Sequence, residues 1–325
     1  MVEQIRSIDA HCGGAAVRLL CGGVPSPQGR TMSHKRDWMR RHADRIRCAL
    51  LREPRGVADM TGCLLTEPVT PGAHAGMLFM DGEGYPPLSG AAVIATATIA
   101  VERGLIAAAD LSRLTFDTPA GTVHAGVNTR RGDRSRVETI ELTNVPSFVA
   151  AGGHPITVGQ RSARIDIASA GTTYAIVDTE AIGIPLAGAT LPELRRFAVD
   201  MTGVLSTSGS EADRVGGVIF TGPPENEQAH LRSAVMTGSI LDRSGSPTGT
   251  CALMAVLDAM GLLEEQGVFI HESLTGALLR GRIVGRTQVG DHAAIIPLIE
   301  GSAWITGEHT FLLDDEDPLR EGFLL

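Results

Sequence analysis

Ser89 and Ser246 are the residues from which chemistry can be built. Each ends an irregular Gly/Pro/Ser-rich stretch and opens a run of small apolar residues. Pro86 to Ile106 reads PPLSGAAVIATATIAVERGLI, and Arg243 to Leu263 reads RSGSPTGTCALMAVLDAMGLL. Aligned on the serines, both show a polar start, a run of Ala, Val, Ile, Leu and Met, and then a Gly. That is the trace of a duplicated unit, and duplicated units place equivalent helix starts at a shared cleft. A helix N-terminus carries unpaired backbone N–H groups and partial positive charge, so such a cleft suits a carboxylate. A serine hydroxyl is a weak acid that needs an adjacent base, and none stands beside either serine in sequence. Serine is also a preferred helix N-cap, so each taken singly reads as a cap.

The elements around these starts can be read from periodicity. Gln4 to Pro25 reads as two short strands about a Gly-Gly turn, and Ser33 to Leu51 has helical spacing. That helix puts Trp38, Met39, Ala43, Ile46 and Leu50 on one side and Lys35, Arg36, Arg40, Arg41, Arg45 and Arg47 on the other. In an acidic protein the basic side reads as a solvated face rather than a polyanion site. Arg52 to Val69 and His74 to Tyr85 read as strands leading to the first apolar helix, which is apolar nearly all round and should be buried. Strand patterns dominate from Leu114 to Asp178, with a hairpin tip at Asn128–Arg136 whose Arg-Gly-Asp reads as chance. Thr190 to Ser208 reads as an amphipathic helix capped by Thr190, and further strands deliver the chain to the second apolar helix. Each half is therefore expected to be a curved, mostly antiparallel sheet around one buried helix, an α+β design. The expected domains are 1–120 with 296–325 returning to it, and 121–295.

Composition bounds the rest. The 325 residues are enough for two cores, and with aromatics at 4% those cores must be built from Ala, Val, Ile and Leu. A formal charge of -9 argues against nucleic acid as a partner. No stretch approaches a continuous apolar membrane span, and the opening residues lack a basic-then-apolar signal pattern, so a cytoplasmic protein is expected. Cys12, Cys21, Cys48, Cys63 and Cys251 form no CxxC, and read as reduced thiols. There is no G-x-S-x-G elbow, no Walker loop, no HExxH or Cys/His cluster, and no G-x-G-x-x-G. No metal is expected.

Five blocks carry a resemblance that spans essentially the whole chain: Ile8–Pro25, Arg52–Tyr85, Arg214–Pro224, Leu241–Thr250 and Ser302–Phe323. Together they resemble the proline racemase family, which includes hydroxyproline 2-epimerases and trans-3-hydroxy-L-proline dehydratases. The resemblance implies two similar domains of the diaminopimelate-epimerase type, an active site in the interdomain cleft, no cofactor, and a small imino acid as substrate. A homodimer is left open as the protein partner.

The family carries one catalytic thiol before each central helix. The first lies in Met-Cys-Gly-His-Gly, here Leu88-Ser89-Gly90-Ala91-Ala92. The second lies in Asp-Arg-Ser-Pro-Cys-Gly-Thr-Gly-Thr, here Asp242 to Thr250. A gapless match puts Ser246 at the second thiol; a shift to Thr248 would break the match at Gly249 and Thr250. The resemblance thus implies Ser89 and Ser246 as catalytic residues and Asp242 beside the substrate's ring nitrogen. Backbone N–H groups of Gly90, Ala91, Gly249 and Thr250 would hold the carboxylate.

The departures matter equally. Both thiols are hydroxyls here, the family histidine beside the first is Ala91, a second histidine is Val57, and an acid of the opening block is Ala15. Racemisation needs a competent base on one face and a competent acid on the other, which two unassisted serines supply poorly. Dehydration of a 3-hydroxyproline asks less, and family dehydratases replace the second thiol by a hydroxyl. The expected activity is therefore that of a trans-3-hydroxy-L-proline dehydratase. The alternatives are a 4-hydroxyproline 2-epimerase or proline racemase, and a non-catalytic member that only binds an imino acid. His11 and His74 read as packing residues, and Cys12 and Cys251 as small buried hydrophobes rather than displaced thiols.

Overall fold

The computed structural model describes residues 2–108, 110–206, 215–264 and 267–324. Thr207, Ser208 and Arg214, which fall in segments read above, lie outside the described residues. By packing, the chain divides into Met1–Leu142 with Gly301–Leu325, and Thr143–Glu300.

The first unit opens with β1 (Val2–Cys12) and β2 (Ala15–Gly22), an antiparallel pair. Two helices follow, α1 (Met32–His42) and α2 (Asp44–Leu51). A single helix was expected there. The backbone instead breaks at Ala43, whose φ of -139° and ψ of 18° are not helical, and Asp44 begins the second helix. Nor is the basic side uniformly solvated. Lys35 and Arg47 are buried, Lys35 donating to Thr66 Oγ1 and the Glu67 carbonyl and Arg47 to the Asp44 carboxylate. Strands β3 (Thr61–Thr66) and β4 (Ala75–Met80) lead to α3 (Gly90–Glu102). Then come β5 (Arg113–Thr118), β6 (Gly121–Arg130) and β7 (Asp133–Thr143). The final strand, Ala303–Asp314, returns to pair with β1 along its whole length.

The expected cut near Ala120 falls inside the β5–β6 hairpin, whose pairing runs from Arg113↔Gly126 to Thr118↔Gly121. The hairpin stays whole within the first unit, and the boundary lies at Leu142. The return begins at Gly301 rather than at residue 296, because the preceding strand is paired along its length inside the second unit.

The second unit repeats the plan. It contains β8 (Ser147–Val158), β9 (Arg161–Ser169), β10 (Thr173–Asp178), α4 (Thr179–Ile182) and α5 (Leu191–Leu205). Thr190 does occupy the N-cap of α5, but its hydroxyl turns backward to donate to Pro185 and Ala187 carbonyls and makes no cap bond. The unit continues with β11 (Val215–Gly222), β12 (Leu231–Thr237), β13 (Ile240–Asp242), α6 (Pro247–Ala259), β14 (Phe269–Ser273), β15 (Leu278–Val289) and β16 (His292–Gly301).

The duplication is visible in the pairing. In the first unit β2–β3 and β4–β5 are parallel, bracketing α1–α2 and α3; in the second, β10–β11 and β12–β14 are parallel, bracketing α4–α5 and α6. A parallel pair needs a crossover, and helices supply it. The remaining pairs named here are antiparallel. Helix α3 packs on β1, β2, β3, β6 and the final strand, and α6 on β8, β9, β10 and β15. Every residue of α3 from Gly90 to Ala100 is buried, as is α6 from Pro247 to Val256. Their apolar circumference therefore faces strands on several sides, which is what an all-round apolar helix requires. Among the described residues no helix is long and apolar enough to cross a membrane.

Candidate functional site

In the first unit the approach to Ser89 is fixed by Arg47 of α2 and by Arg52, the residue that follows it. Arg47 donates to the carbonyls of Asp81 (2.8 Å) and Gly82 (2.9 Å), and Arg52 Nε donates to Gly82 (3.0 Å). The Asp81 carboxylate accepts the Glu83 and Gly84 amides at 2.8 and 2.7 Å, closing the turn. Burial nevertheless pushes the Asp81 carboxyl above the usual carboxylate range. The chain then reaches Ser89 in an extended conformation (φ -137°, ψ 109°), half-buried, at the N-cap of α3. Its Oγ accepts the Ala92 amide at 3.3 Å, and its carbonyl accepts the Val93 amide at 3.0 Å. The Gly90 and Ala91 N–H groups, both expected as carboxylate donors, lie in the first turn, where no intrahelical acceptor exists.

The equivalent start in the second unit is built differently. The turn after β13 closes on Asp242, whose Oδ1 accepts both the amide (3.0 Å) and the hydroxyl (2.5 Å) of Ser244. Gly245 follows at φ +82°, where a Cβ would come within 3.0 Å of the Ser273 Cβ. Ser246 is then at φ 55°, ψ 103°, a positive φ that a non-glycine residue adopts at a cost on the order of 1–3 kcal/mol. Its Oγ accepts the Gly249 amide at 3.1 Å and lies 3.0 Å from Thr248 Oγ1, which lies 3.0 Å from the Tyr174 hydroxyl. Its carbonyl accepts twice from Thr250, from the amide at 2.7 Å and from Oγ1 at 2.9 Å. Thr250 Oγ1 is also 2.8 Å from His271 Nδ1, and His271 Nε2 is 2.8 Å from Ser233 Oγ. Gly249 has little room, since a Cβ there would approach the Ser246 Cβ and a Val235 methyl at 3.1 Å each.

Several expectations change against this geometry. The Gly249 and Thr250 amides, expected to hold a carboxylate, are spent on Ser246 Oγ and the Ser246 carbonyl. Pro247 has no N–H, so Thr248 is the first-turn residue of α6 whose amide has no intrahelical acceptor. Asp242 uses one oxygen to close the turn. Burial raises its carboxyl pKa, and the hydrogen bonds of Ser244 and Ser246 pull against that rise. Cys12 and Cys251 are fully buried, and burial pushes the Cys251 thiol up to about 12, which removes it as a thiolate base. His74 accepts the Thr115 amide through Nδ1, a packing role; His11 sits on β1 opposite Ala16 and Trp304.

Tyr174, Ser233 and His271 did not stand out in the sequence. They come from β10, β12 and β14, far from the α6 motif, and only the fold gathers them. A histidine and a serine within otherwise apolar strand segments were the one available signal.

The family model described as proline racemase matches residues 7–324. A proline racemase of Clostridioides difficile is 32% identical, with 99% of this chain and 98% of the relative aligned. A trans-3-hydroxy-L-proline dehydratase of Bacillus thuringiensis subsp. konkukian is 33% identical over 98% of this chain and 97% of the relative. Among solved structures, a hydroxyproline epimerase from Agrobacterium vitis with bound trans-4-OH-L-proline superposes with a TM-score of 0.88 at 27% identity. That match covers 99% of this chain and 95% of the other.

Proposed function

The chain belongs to the proline racemase family, and from that premise we propose that it is a cofactor-independent hydro-lyase that dehydrates trans-3-hydroxy-L-proline. Elimination takes the α-hydrogen as a proton and the β-hydroxyl as water. The C–H electron pair becomes the ring C=C bond while the C–O bond breaks, and the resulting enamine tautomerises to a cyclic imine. In this reading Ser89, as its alkoxide, receives the α-proton and Ser246 gives its own proton to the departing hydroxyl, and transfer of one proton from Ser89 to Ser246 through solvent restores the pair. The first-turn amides of Gly90, Ala91 and Thr248 are the carboxylate donors, and Asp242 faces the ring nitrogen.

The observation that carries the reading is the pair of groups aimed at Ser246 Oγ. Burial raises the Tyr174 pKa, so its phenol stays protonated; it lies 3.0 Å from Thr248 Oγ1, which lies 3.0 Å from Ser246 Oγ, and in this reading the chain is donated toward Ser246. With the Gly249 amide this makes two bonds into Ser246 Oγ, while the Ser246 hydroxyl in turn hydrogen-bonds the Asp242 carboxyl. Donors to an oxygen that becomes anionic favour the anion, so the same two bonds make Ser246 a stronger acid.

Ser89 is the weaker partner. Its single 3.3 Å bond and the α3 dipole supply roughly 0.3–1 kcal/mol, less than one pKa unit at about 1.36 kcal/mol. Slow proton abstraction is therefore expected to limit turnover. Epimerisation at the same carbon is the second reading, favoured by the hydroxyproline epimerase neighbour. Mass spectrometry after incubation in deuterated water with 3- and 4-hydroxyprolines separates them. Dehydration removes one water from the 3-hydroxy substrate. Epimerisation returns the inverted 4-hydroxy compound carrying one α-deuterium, and that product without water loss would reverse the assignment.

A further inference from the structure

We infer that His271 is a positioning residue for Ser246, acting through Thr250 as its Nδ1–H tautomer. The assignment follows from counting protons. Thr250 has one hydroxyl hydrogen, and Oγ1 donates it to the Ser246 carbonyl at 2.9 Å. The 2.8 Å contact between Thr250 Oγ1 and His271 Nδ1 must then be donated by the imidazole. A neutral ring with its proton on Nδ1 has Nε2 as acceptor, and Ser233 Oγ stands 2.8 Å from it with a hydroxyl to give. The chain therefore runs one way, from Ser233 to His271 to Thr250 to the Ser246 carbonyl. Ser233, Thr250 and His271 are completely buried, so water does not compete for these bonds. Burial also holds the ring neutral, its pKa pushed down to about 3.

The consequence lies in the strained turn. With the opposite tautomer, Nδ1 would accept the Thr250 hydroxyl and the Ser246 carbonyl would lose one of its two donors. The ring also underlies the turn, since a Cβ on Gly245 would lie 3.5 Å from His271 Cε1. His271 thus holds the backbone of Ser246 from beneath and by hydrogen bond, while Tyr174 and Thr248 address its side chain. Tautomer and turn stand on geometry alone; the effect on turnover rests on the proposed acid role of Ser246.

Selective ¹⁵N-histidine labelling of the intact protein tests the first part, with the His271 signals identified by their loss in His271→Asn. A protonated Nδ1 and a pyridine-type Nε2 at neutral pH are expected, and Thr250→Val should shift the ring toward the Nε2–H form. An Nε2–H ring in the wild-type protein would overturn the assignment whatever the protein's activity. For turnover, Thr250→Ser keeps the hydroxyl and should retain kcat within about threefold. Thr250→Val, nearly the same shape, should lower kcat about tenfold to a hundredfold with unchanged binding of pyrrole-2-carboxylate, a planar carboxylate that mimics the substrate ring after loss of the α-proton. Equal kcat for the Ser and Val variants would show that the chain does not position Ser246. A wild-type protein inactive on every hydroxyproline would instead count against the dehydratase reading, with the tautomer still decided by NMR.

Discussion

Helices α3 and α6 are each thirteen residues long, occupy equivalent places in the two units, and begin at a serine. Their first turns nonetheless differ in kind. Ser89 is a relaxed cap: extended, half-buried, with one long bond to its hydroxyl. Ser246 is held at positive φ, with two groups at its hydroxyl, two donors on its carbonyl, and a buried histidine behind them. The contrast teaches that duplication fixes where a residue sits, and the strands packed around it decide what it can do. Around Ser246 those strands bring tyrosine, serine and histidine; before Ser89 the arginines bind backbone carbonyls and leave the hydroxyl alone.

The largest expected effect comes from the histidine behind Ser246. Below the ordinary histidine pKa of about 6.5 the unfolded chain takes up a proton that folded His271 refuses until about pH 3. Stability from this group is complete above pH 6.5 and is lost as pH falls through that window, by up to about 1.4 kcal/mol per unit. Asp242 works oppositely: its raised carboxyl pKa gives stability that is present at low pH and lost as pH rises through the folded value. Urea unfolding of the wild-type protein and His271→Asn across pH 4–7 should isolate the histidine slope, and identical profiles would show that His271 is not buried neutral.

Backbone strain should separate the two serines next. Alanine costs a cap about 1 kcal/mol and glycine a few tenths, so Gly should exceed Ala in stability modestly at 89. At 246 glycine also relieves the positive φ, widening that gap by roughly 1–3 kcal/mol. Chemical denaturation of the four single variants checks this; equal gaps would mean that Ser246 is not strained.

Replacing the weaker partner by a better base should raise activity. Ser89→Cys is expected to increase α-hydrogen exchange at least about tenfold, since a thiol ionises far more readily than a hydroxyl. Unchanged deuterium uptake would place the limiting step elsewhere. The smallest effect is expected from Thr248→Val, which removes the hydroxyl bonded to Ser246 Oγ at a cost of roughly 1 kcal/mol, a several-fold loss in water elimination. Steady-state rates measured with and without the second-site change Tyr174→Phe should show the two losses to be non-additive, as members of one chain.

Much of this fold could be read from the chain, because apolar periodicity reports burial directly. The β1–β2 pair about Gly13-Gly14, the two buried helices and the alternating strands after Leu114 all announce themselves in that way. The break at Ala43 did not, because Ser33 to Leu51 keeps helical spacing through it. The boundary at Leu142 depends on strand pairing, which no local pattern encodes. At the candidate site, residues contiguous with the helix starts were legible and their partners were not. Which amides remain after Ser246 takes Gly249 and Thr250 is decided by the conformation of one strained residue. Tyr174 and His271 lie on strands 72 and 25 residues from Ser246, a separation of roughly that size being invisible to any motif.

The division of labour between the two serines is tested most directly by following one substrate in deuterated water. With trans-3-hydroxy-L-proline, Ser246→Ala should still exchange the α-hydrogen while water loss falls about a hundredfold or more, and Ser89→Ala should lose both. An Ser89→Ala variant that retains exchange and elimination, or an Ser246→Ala variant that eliminates water at the wild-type rate, would contradict the account.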